Sequence, residues 1–320
     1  MIRFLVRRLL FAALLVVAVS SGAFLLTRLA PGDLTTNLGA FARPEEVAQM
    51  RARFDLDRSP ATQWGGWALR VVRLDFGDSF LYNRPVGGLI QRAAGNTAVL
   101  ATAALLLATI LGIPLGIISG SGRGPLPAVI RGASLVCLSV PPLLTSLLLV
   151  FLAARTGWFP AGGMTSIDTS ETIWSWLLDV ARHLPLPAFA LALPIAATFE
   201  RLQAQSMSES LQQTFVTAAL ARGVTWRRLL LGHAWRASLR SMCAIYGLAI
   251  GALLSGSFVV EYVTAWPGLG RLMYEALLAR DIYLVAGCGA MGAVFLAFGS
   301  VIGDLLQFAA DPRVREGQIA

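Results

Sequence analysis

Residues 97–119, TAVLATAALLLATILGIPLGIIS, decide the fold class, because they form an apolar run that contains no charged residue. A helix of about 20 apolar residues crosses the roughly 30 Å hydrocarbon core of a bilayer. Five other stretches have a comparable composition. The sequence therefore predicts an all-α, polytopic membrane protein with six spans: Leu9–Leu26, Thr97–Ser119, Ala128–Ala154, Leu184–Phe199, Met242–Val260 and Ile282–Gly303.

The composition of the whole chain agrees with this prediction. Of its 320 residues, 56% are hydrophobic and 14% are charged, and the mean hydropathy is +0.67. A soluble protein needs about a quarter of its residues charged, so most of this surface must face lipid or apolar protein. Every basic residue is arginine, which excludes a P-loop lysine and a lysine Schiff base in this chain. The net charge of +8 fits arginine-rich cytoplasmic loops, and we predict no nucleic-acid partner.

The cysteine and histidine pattern argues against metal binding and catalysis. Cys137, Cys243 and Cys288 lie inside apolar runs, with no CxxC pair. His183 and His233 are the only histidines and lie far apart in the sequence. Neither GxSxG nor HExxH occurs, so an intramembrane enzyme is poorly supported. We predict no metal site, no catalytic residue and no cofactor bound by this chain.

Arginine in the short loops predicts the orientation of the chain in the membrane. Arg3, Arg7 and Arg8 precede the first span, and further arginines cluster in residues 201–240. The positive-inside rule then places both termini in the cytoplasm. Residues 20–23 leave open the alternative of a cleaved secretory signal, against the preferred uncleaved anchor. The predicted segments are 1–30 with the first span, an outer segment 31–96 forming a small helical subdomain, and a core 97–320.

Residues 201–240 contain a predicted helix, a glycine corner and a second, basic helix. Phe215, Ala218 and Ala219 recur at helical spacing, and Gly223 follows at the position where a helix ends with positive φ. Thr225 is placed to cap the next helix. Ala218 and Ala219 are small enough to let another protein approach closely. Three interpretations stay open: a DNA-binding helix-turn-helix, a solvated basic loop, and a docking element for a cytoplasmic motor protein.

Several motifs occur in a fixed order along nearly the whole chain. They are Arg8-Leu9-Leu10, Leu29-Ala30-Pro31-Gly32-Asp33, Phe76-Gly77-Asp78-Ser79, Arg84-Pro85-Val86, Gly112-Ile113-Pro114-Leu115-Gly116, Ser139-Val140-Pro141, Glu261-Tyr262-Val263, Trp266-Pro267-Gly268-Leu269-Gly270-Arg271-Leu272, Arg280-Asp281 and Asp311-Pro312-Arg313. In these motifs the chain resembles the first permease subunit of ABC importers of the dipeptide, oligopeptide and nickel group. The resemblance implies a type I importer architecture, in which residues 208–236 correspond to the EAA coupling loop.

The resemblance also implies a function and a set of partners. The chain would form half of a translocation pathway for peptides, or alternatively for nickel or another small solute, in a bacterial inner membrane. Its partners would be a second homologous permease, two ATP-binding subunits that carry ATP and Mg²⁺, an extracytoplasmic substrate-binding protein and membrane lipid. An ATP-independent channel or carrier is the competing hypothesis, and it predicts coupling acids or histidines within the spans.

Two groups of residues follow as candidate sites. The predicted ATPase-coupling residues are Phe215, Ala218, Ala219, Arg222, Gly223, Arg227, Arg228 and His233. The predicted outer gate, or contact with the binding protein, comprises Glu261, Trp266, Pro267, Gly268, Gly270 and Asp281. We expect Pro267, Gly268 and Gly270 to form a tight turn. For Glu261 and Asp304, near the ends of the last two spans, a structural ion pair is preferred and gating is the alternative. Trp174 and Trp176 are expected at the membrane interface.

Overall fold

The computed structural model describes residues 2–30, 44–53, 57–122, 124–166 and 172–310. Pro31–Asp33 and Asp311–Arg313, which carry part of the family resemblance, lie outside these described residues. The described residues form α-helices, one π-helical segment and connecting turns, with no β-strand among them. The α-helices are α1 Ile2–Leu29, α2 Pro44–Arg53, α3 Pro60–Val71, α4 Val86–Ser121, α5 Pro125–Ser139, α6 Pro142–Thr156, α7 Ile173–His183, α8 Pro185–Leu211, α9 Thr214–Ala221, α10 Trp226–Arg228, α11 Trp235–Gly256, α12 Phe258–Val263, α13 Leu269–Leu278 and α14 Ile282–Ala310.

Four helices in the described part of the chain are long and apolar enough to cross a membrane, over Val6–Leu29, Val86–Ser121, Ile245–Val263 and Ile282–Ala309. Two pairs of helices pass the same test together, α5 with α6 and α7 with α8. The number of spans is therefore four, or up to six if each bent pair is one span. The prediction of an all-α, polytopic membrane protein is confirmed.

The third predicted span, Ala128–Ala154, is not one helix. It divides into α5 and α6, whose axes differ by 98°. Val140 and Pro141 between them are extended, with ψ of 119° and 143°. Proline disfavours the helical conformation of the residue before it, and Pro141 is followed by a second proline, so the helix ends here and restarts in a new direction. The sequence interpretation missed this bend although it quoted the motif that causes it.

The chain divides into two compact units, with boundaries within α4, between Trp266 and Pro267, and within α14. The first unit comprises Met1–Thr97 and Pro267–Ala297. Its core is aromatic: the Trp67 ring, only 2% exposed, lies 5.3 Å from the Phe24 ring, and Tyr283 contacts both Phe24 and Phe80. Trp67 therefore belongs to the core of this unit.

The second unit comprises Ala98–Trp266 and Phe298–Ala320. Glycines allow its long helices to pack closely. A Cβ on Gly112 of α4 would lie 2.6 Å from the Ala196 carbonyl oxygen of α8. A Cβ on Gly247 of α11 would lie 2.6 Å from the Gly303 Cα of α14. Side chains cannot fit at these positions, so the backbones of each pair touch, as is common where helices associate in membranes.

Candidate functional site

The loop between α8 and α11, residues 212–234, contains all eight predicted coupling residues. Its helix α9 ends in the predicted glycine corner: Gly223 has φ of 78°. The Val224 amide donates to the Ala219 carbonyl oxygen at 3.1 Å, and the Gly223 amide donates to that of Leu220 at 2.9 Å. This pair of hydrogen bonds is the Schellman arrangement, which requires a left-handed residue at the corner. The helix and glycine corner predicted here are confirmed.

A small apolar core holds the loop together. Val216, Ala219 and Leu229 are buried, and Phe215 and Val224 pack against them. The expectation that both alanines face a partner is wrong for Ala219, because its side chain lies inside this core. Ala218, the preceding residue of α9, is exposed. Phe215 and Ala219 therefore support the loop from within.

The second helix of the loop is less regular than predicted. Thr225 occupies the position before α10 with extended backbone, but its side chain makes no capping hydrogen bond. After α10 the chain widens into a π-helical segment, Leu229–Ala234, in which the Trp235 amide donates to the Leu230 carbonyl oxygen. Segments of π-helix often occur at functional sites. His233 lies in this segment and is exposed.

The exposed surface of the loop is basic with an apolar centre. Arg222, Arg227 and Arg228 are exposed, and the Arg222 Nε donates to the Ala218 carbonyl oxygen at 3.2 Å. Trp226 is 47% exposed and Leu220 is 45% exposed. Exposed aromatic and arginine side chains together are typical of protein–protein contact sites.

A cavity of 1390 Å³ lies beside this loop in the second unit. Side chains of α5, α8 and α10 line it, among them Arg131, Arg201, Gln205 and Trp226. Hydroxyl groups of Ser121 and Ser208 contribute further polar surface. Leu135, Leu138, Leu202, Leu211 and the acid Glu209 also line it, so the cavity is mixed in character, with arginine beside apolar and acidic side chains.

The predicted outer residues divide between the two units. Glu261 and Trp266 lie in the second unit, and both are fully buried. The Glu261 carboxylate accepts a hydrogen bond from the Ser257 hydroxyl at 2.7 Å. The turn that follows α12 has its left-handed residue at Ala265, with φ of 53°. The Gly163 amide donates to the Thr264 carbonyl oxygen at 2.8 Å and holds this turn in place.

Pro267, Gly268, Gly270 and Asp281 lie in the first unit. The expected tight turn at the two glycines is not observed: Gly268 is extended before α13, with ψ of −177°, and Gly270 lies within α13. Side chains from α4 fix this start of α13. The Thr97 hydroxyl accepts a hydrogen bond from the Leu269 amide at 2.8 Å, and the Asn96 side chain donates to the Pro267 carbonyl oxygen at 2.8 Å.

Asp281 connects the start of α14 to the segment that precedes α4. Its carboxylate accepts hydrogen bonds from the Ser79 hydroxyl at 2.6 Å and from the Leu81 and Leu284 amides, both at 3.1 Å. Burial raises the pKa of Asp281, although the hydrogen bond from Ser79 and the backbone amides oppose this effect. Sequence reasoning did not find Ser79 as the partner, because the two residues are 202 positions apart.

A second polar contact lies on the same unit. The Tyr82 hydroxyl donates to the Glu275 carboxylate at 2.6 Å, and the Arg271 Nε donates to the other Glu275 oxygen at 2.9 Å. Burial, followed by the hydrogen bond to Glu275, raises the pKa of Tyr82 to about 12. These side chains are exposed or partly exposed, so they are accessible from solution. Within the described residues, no three histidine, cysteine or acidic side chains form a group that could hold a metal ion.

Comparison with known proteins identifies the family. The family described as binding-protein-dependent transport system inner membrane component matches residues 112–316, and its N-terminal counterpart matches residues 1–101. An oligopeptide transport system permease protein of Bacillus subtilis, AppB, is 30% identical, with 98% of this chain and 99% of AppB covered. A putative peptide transport system permease protein of Brucella abortus is 34% identical, with 94% and 95% covered.

The fold is also found among solved structures. An inward-facing structure of the MetNI methionine ABC transporter matches with a TM-score of 0.51 and 16% identity, over 71% of this chain and 95% of that chain. This match bears on the fold alone, and it agrees with the ABC importer architecture predicted from the motifs. The chain therefore belongs to the family of inner membrane components of binding-protein-dependent transport systems, the permease subunits of ABC importers.

Proposed function

We propose that this chain is a permease subunit of an ATP-driven importer of peptides, with both termini in the cytoplasm. The observation that carries the proposal is the near full-length similarity to relatives named as oligopeptide or peptide permeases, at 30% and 34% identity. The chain supplies no covalent chemistry in this proposal. ATP and Mg²⁺ are bound by partner subunits, because this chain has no lysine for a P-loop.

The loop 212–234 is the proposed contact with the ATP-binding subunits. Its exposed side chains include Ala218, Arg222, Arg227, Arg228 and His233. The arginines favour an acidic partner surface, and the exposed Trp226 favours an apolar pocket within it. Phe215, Ala219 and Gly223 act indirectly in this proposal, because they fix the shape of the loop.

We propose that some of the outer residues contact a partner directly and that the others support the contact surface from within. Of the six, only Pro267 is largely exposed, and Gly270 is partly exposed. Direct contact with a substrate-binding protein is therefore assigned to Pro267 and to the neighbouring exposed side chains. Gly268 and Asp281 are buried in the same unit as Pro267, so we assign them to the support of that surface. Glu261 and Trp266 are buried in the second unit, and we assign them to the support of an outer gate.

Reconstitution tests the proposal. The chain is co-expressed with its neighbouring permease and ATP-binding subunits, inserted into proteoliposomes, and supplied with the binding protein and radiolabelled di- or oligopeptide. We expect peptide accumulation that requires ATP hydrolysis. Accumulation of nickel or of another small solute instead of peptide would reassign the substrate. Transport that persists without the ATP-binding subunits would refute the importer itself and favour a channel or carrier.

A further inference from the structure

Two polar side chains, Glu200 and Gln203, lie buried on α8 just before the loop 212–234. They are 1% and 0% exposed and lie in the second half of a helix whose first half is apolar. A buried acid in a membrane protein is costly, and such residues usually have a functional role. The sequence prediction missed Glu200, because the predicted fourth span ends one residue before it.

Gln203 connects α8 to α11, the two helices between which the loop lies. Its Nε2 donates to the Ser238 hydroxyl at 2.7 Å. The direction of this hydrogen bond is defined, because the Ser238 hydroxyl donates its own proton to the Trp235 carbonyl oxygen at 2.8 Å. The contact therefore ties together the two ends of the loop.

Glu200 connects α8 to α4. The Ser119 hydroxyl, near the end of α4, donates to the Glu200 Oε1, and both side chains are buried. Close backbone packing surrounds this contact. A Cβ on Gly116 of α4 would lie 2.6 Å from the Gln203 Cβ and 2.7 Å from the Glu200 carbonyl oxygen. The helices therefore cannot slide past each other without breaking both the packing and the hydrogen bond.

We propose that Glu200 and Gln203 are positioning residues that lock α4, α8 and α11 into one rigid body at the base of the loop. The inference rests on the proposed function. When a partner displaces the loop, the lock passes the displacement to α4 as well as to the helices that flank the loop. Directional hydrogen bonds suit this task, because apolar packing alone tolerates a change of register.

The lock is tested first in the isolated permease by hydrogen exchange. We expect Ser119→Ala and Ser238→Ala to increase amide exchange about tenfold near residues 200–211 and at the neighbouring ends of α4 and α11, the scale set by loss of one buried hydrogen bond. Ser146→Ala is the matched control, because Ser146 is equally buried but its hydroxyl donates only within its own helix, to Leu143. Unchanged exchange in both lock variants would overturn the inference.

Coupling is then measured in the reconstituted transporter as solute imported per ATP hydrolysed. We expect this ratio to fall severalfold in Ser119→Ala and Ser238→Ala while ATP hydrolysis continues. Glu200→Gln keeps the acceptor oxygen for Ser119 and should keep the wild-type ratio, whereas Glu200→Leu should not. Lock variants that match the Ser146→Ala ratio would overturn the inference. Wild-type protein without ATP-driven import would refute the proposed function instead, and the exchange measurement would still decide the lock.

Discussion

Replacing Gly223 by valine isolates the contribution of one backbone conformation to coupling. Gly223 has φ of 78°, and a Cβ added there would meet no atom within 4 Å. The substitution therefore introduces no clash with other parts of the chain. Its cost comes from the backbone, because a left-handed L-residue costs about 1–2 kcal/mol and a β-branched side chain resists this conformation further.

That cost is enough to shift the population of the loop conformation. A change of one or two kcal/mol alters a two-state ratio by a factor of about 5–30. Loss of the corner breaks the hydrogen bonds from Gly223 to Leu220 and from Val224 to Ala219, so α9 no longer ends in the same direction. We expect the affinity for the ATP-binding subunits to fall by up to the same factor, because only the ordered loop is competent to bind and the affinity follows the ordered fraction.

Titration of purified ATP-binding subunits onto the permease in nanodiscs measures this affinity. Gly223→Asn should retain more of it than Gly223→Val, since asparagine tolerates positive φ. Gly232→Ala is the matched control: it lies in the same loop, has no positive φ, and a Cβ there also meets no atom within 4 Å. If Gly223→Val binds as tightly as this control, the role assigned to the corner is wrong. Insertion into the membrane should be the same in all three variants.

Three further outcomes are expected. The Tyr82 phenolate should appear near pH 12 rather than near 10.0 in an absorbance titration, with Tyr82→Phe as the reference. The hydrogen bond from Tyr82 to Glu275 therefore contributes fully below pH 10 and is lost as the pH rises toward 12. A Tyr82 pKa near 10.0 would contradict this contact. Arg228→Glu should weaken binding of the ATP-binding subunits at low salt. Arg182 is also exposed but lies outside the loop, so Arg182→Glu should not weaken binding. Equal effects of the two substitutions would mean that net charge alone determines the binding. Trp174 is 75% exposed on an amphipathic helix, so brominated lipid should quench its fluorescence. The Trp174 contribution is the difference between the fluorescence of the wild-type protein and that of Trp174→Phe. Quenching by aqueous iodide alone would exclude the interfacial position.

Features set by local sequence were predictable. The apolar runs identified the spans, because membrane insertion depends on length and hydropathy. The corner at Gly223 followed from one glycine at the end of a periodic helix, and its φ is positive as expected. The helix break at Pro141 was equally local. It was missed because the residues on both sides are apolar, and hydropathy alone does not distinguish one continuous helix from two.

Contacts between distant parts of the chain were not predictable from one sequence. Asp281 and Ser79 were each part of a quoted motif, yet nothing in either motif indicates that the two side chains pair across 202 positions. The pairing of Glu200 with Ser119 depends equally on how closely α4 and α8 approach. Ala219 was assigned to the surface because small residues occur both in contacts with partners and in tight cores, and only the packing of Leu229 against it decides between them.

The first unit consists of two stretches that are far apart in the sequence, and this has a consequence for biosynthesis. Phe24 and Trp67 leave the ribosome early, whereas Tyr283, which completes their aromatic cluster, is made more than 200 residues later. At common translation rates this interval is on the order of 10–40 s. During that time the early aromatic side chains have no native partner from the last helix. The aromatic core of the first unit is therefore completed only after Tyr283 has been made, although Phe24 and Trp67 can contact each other earlier.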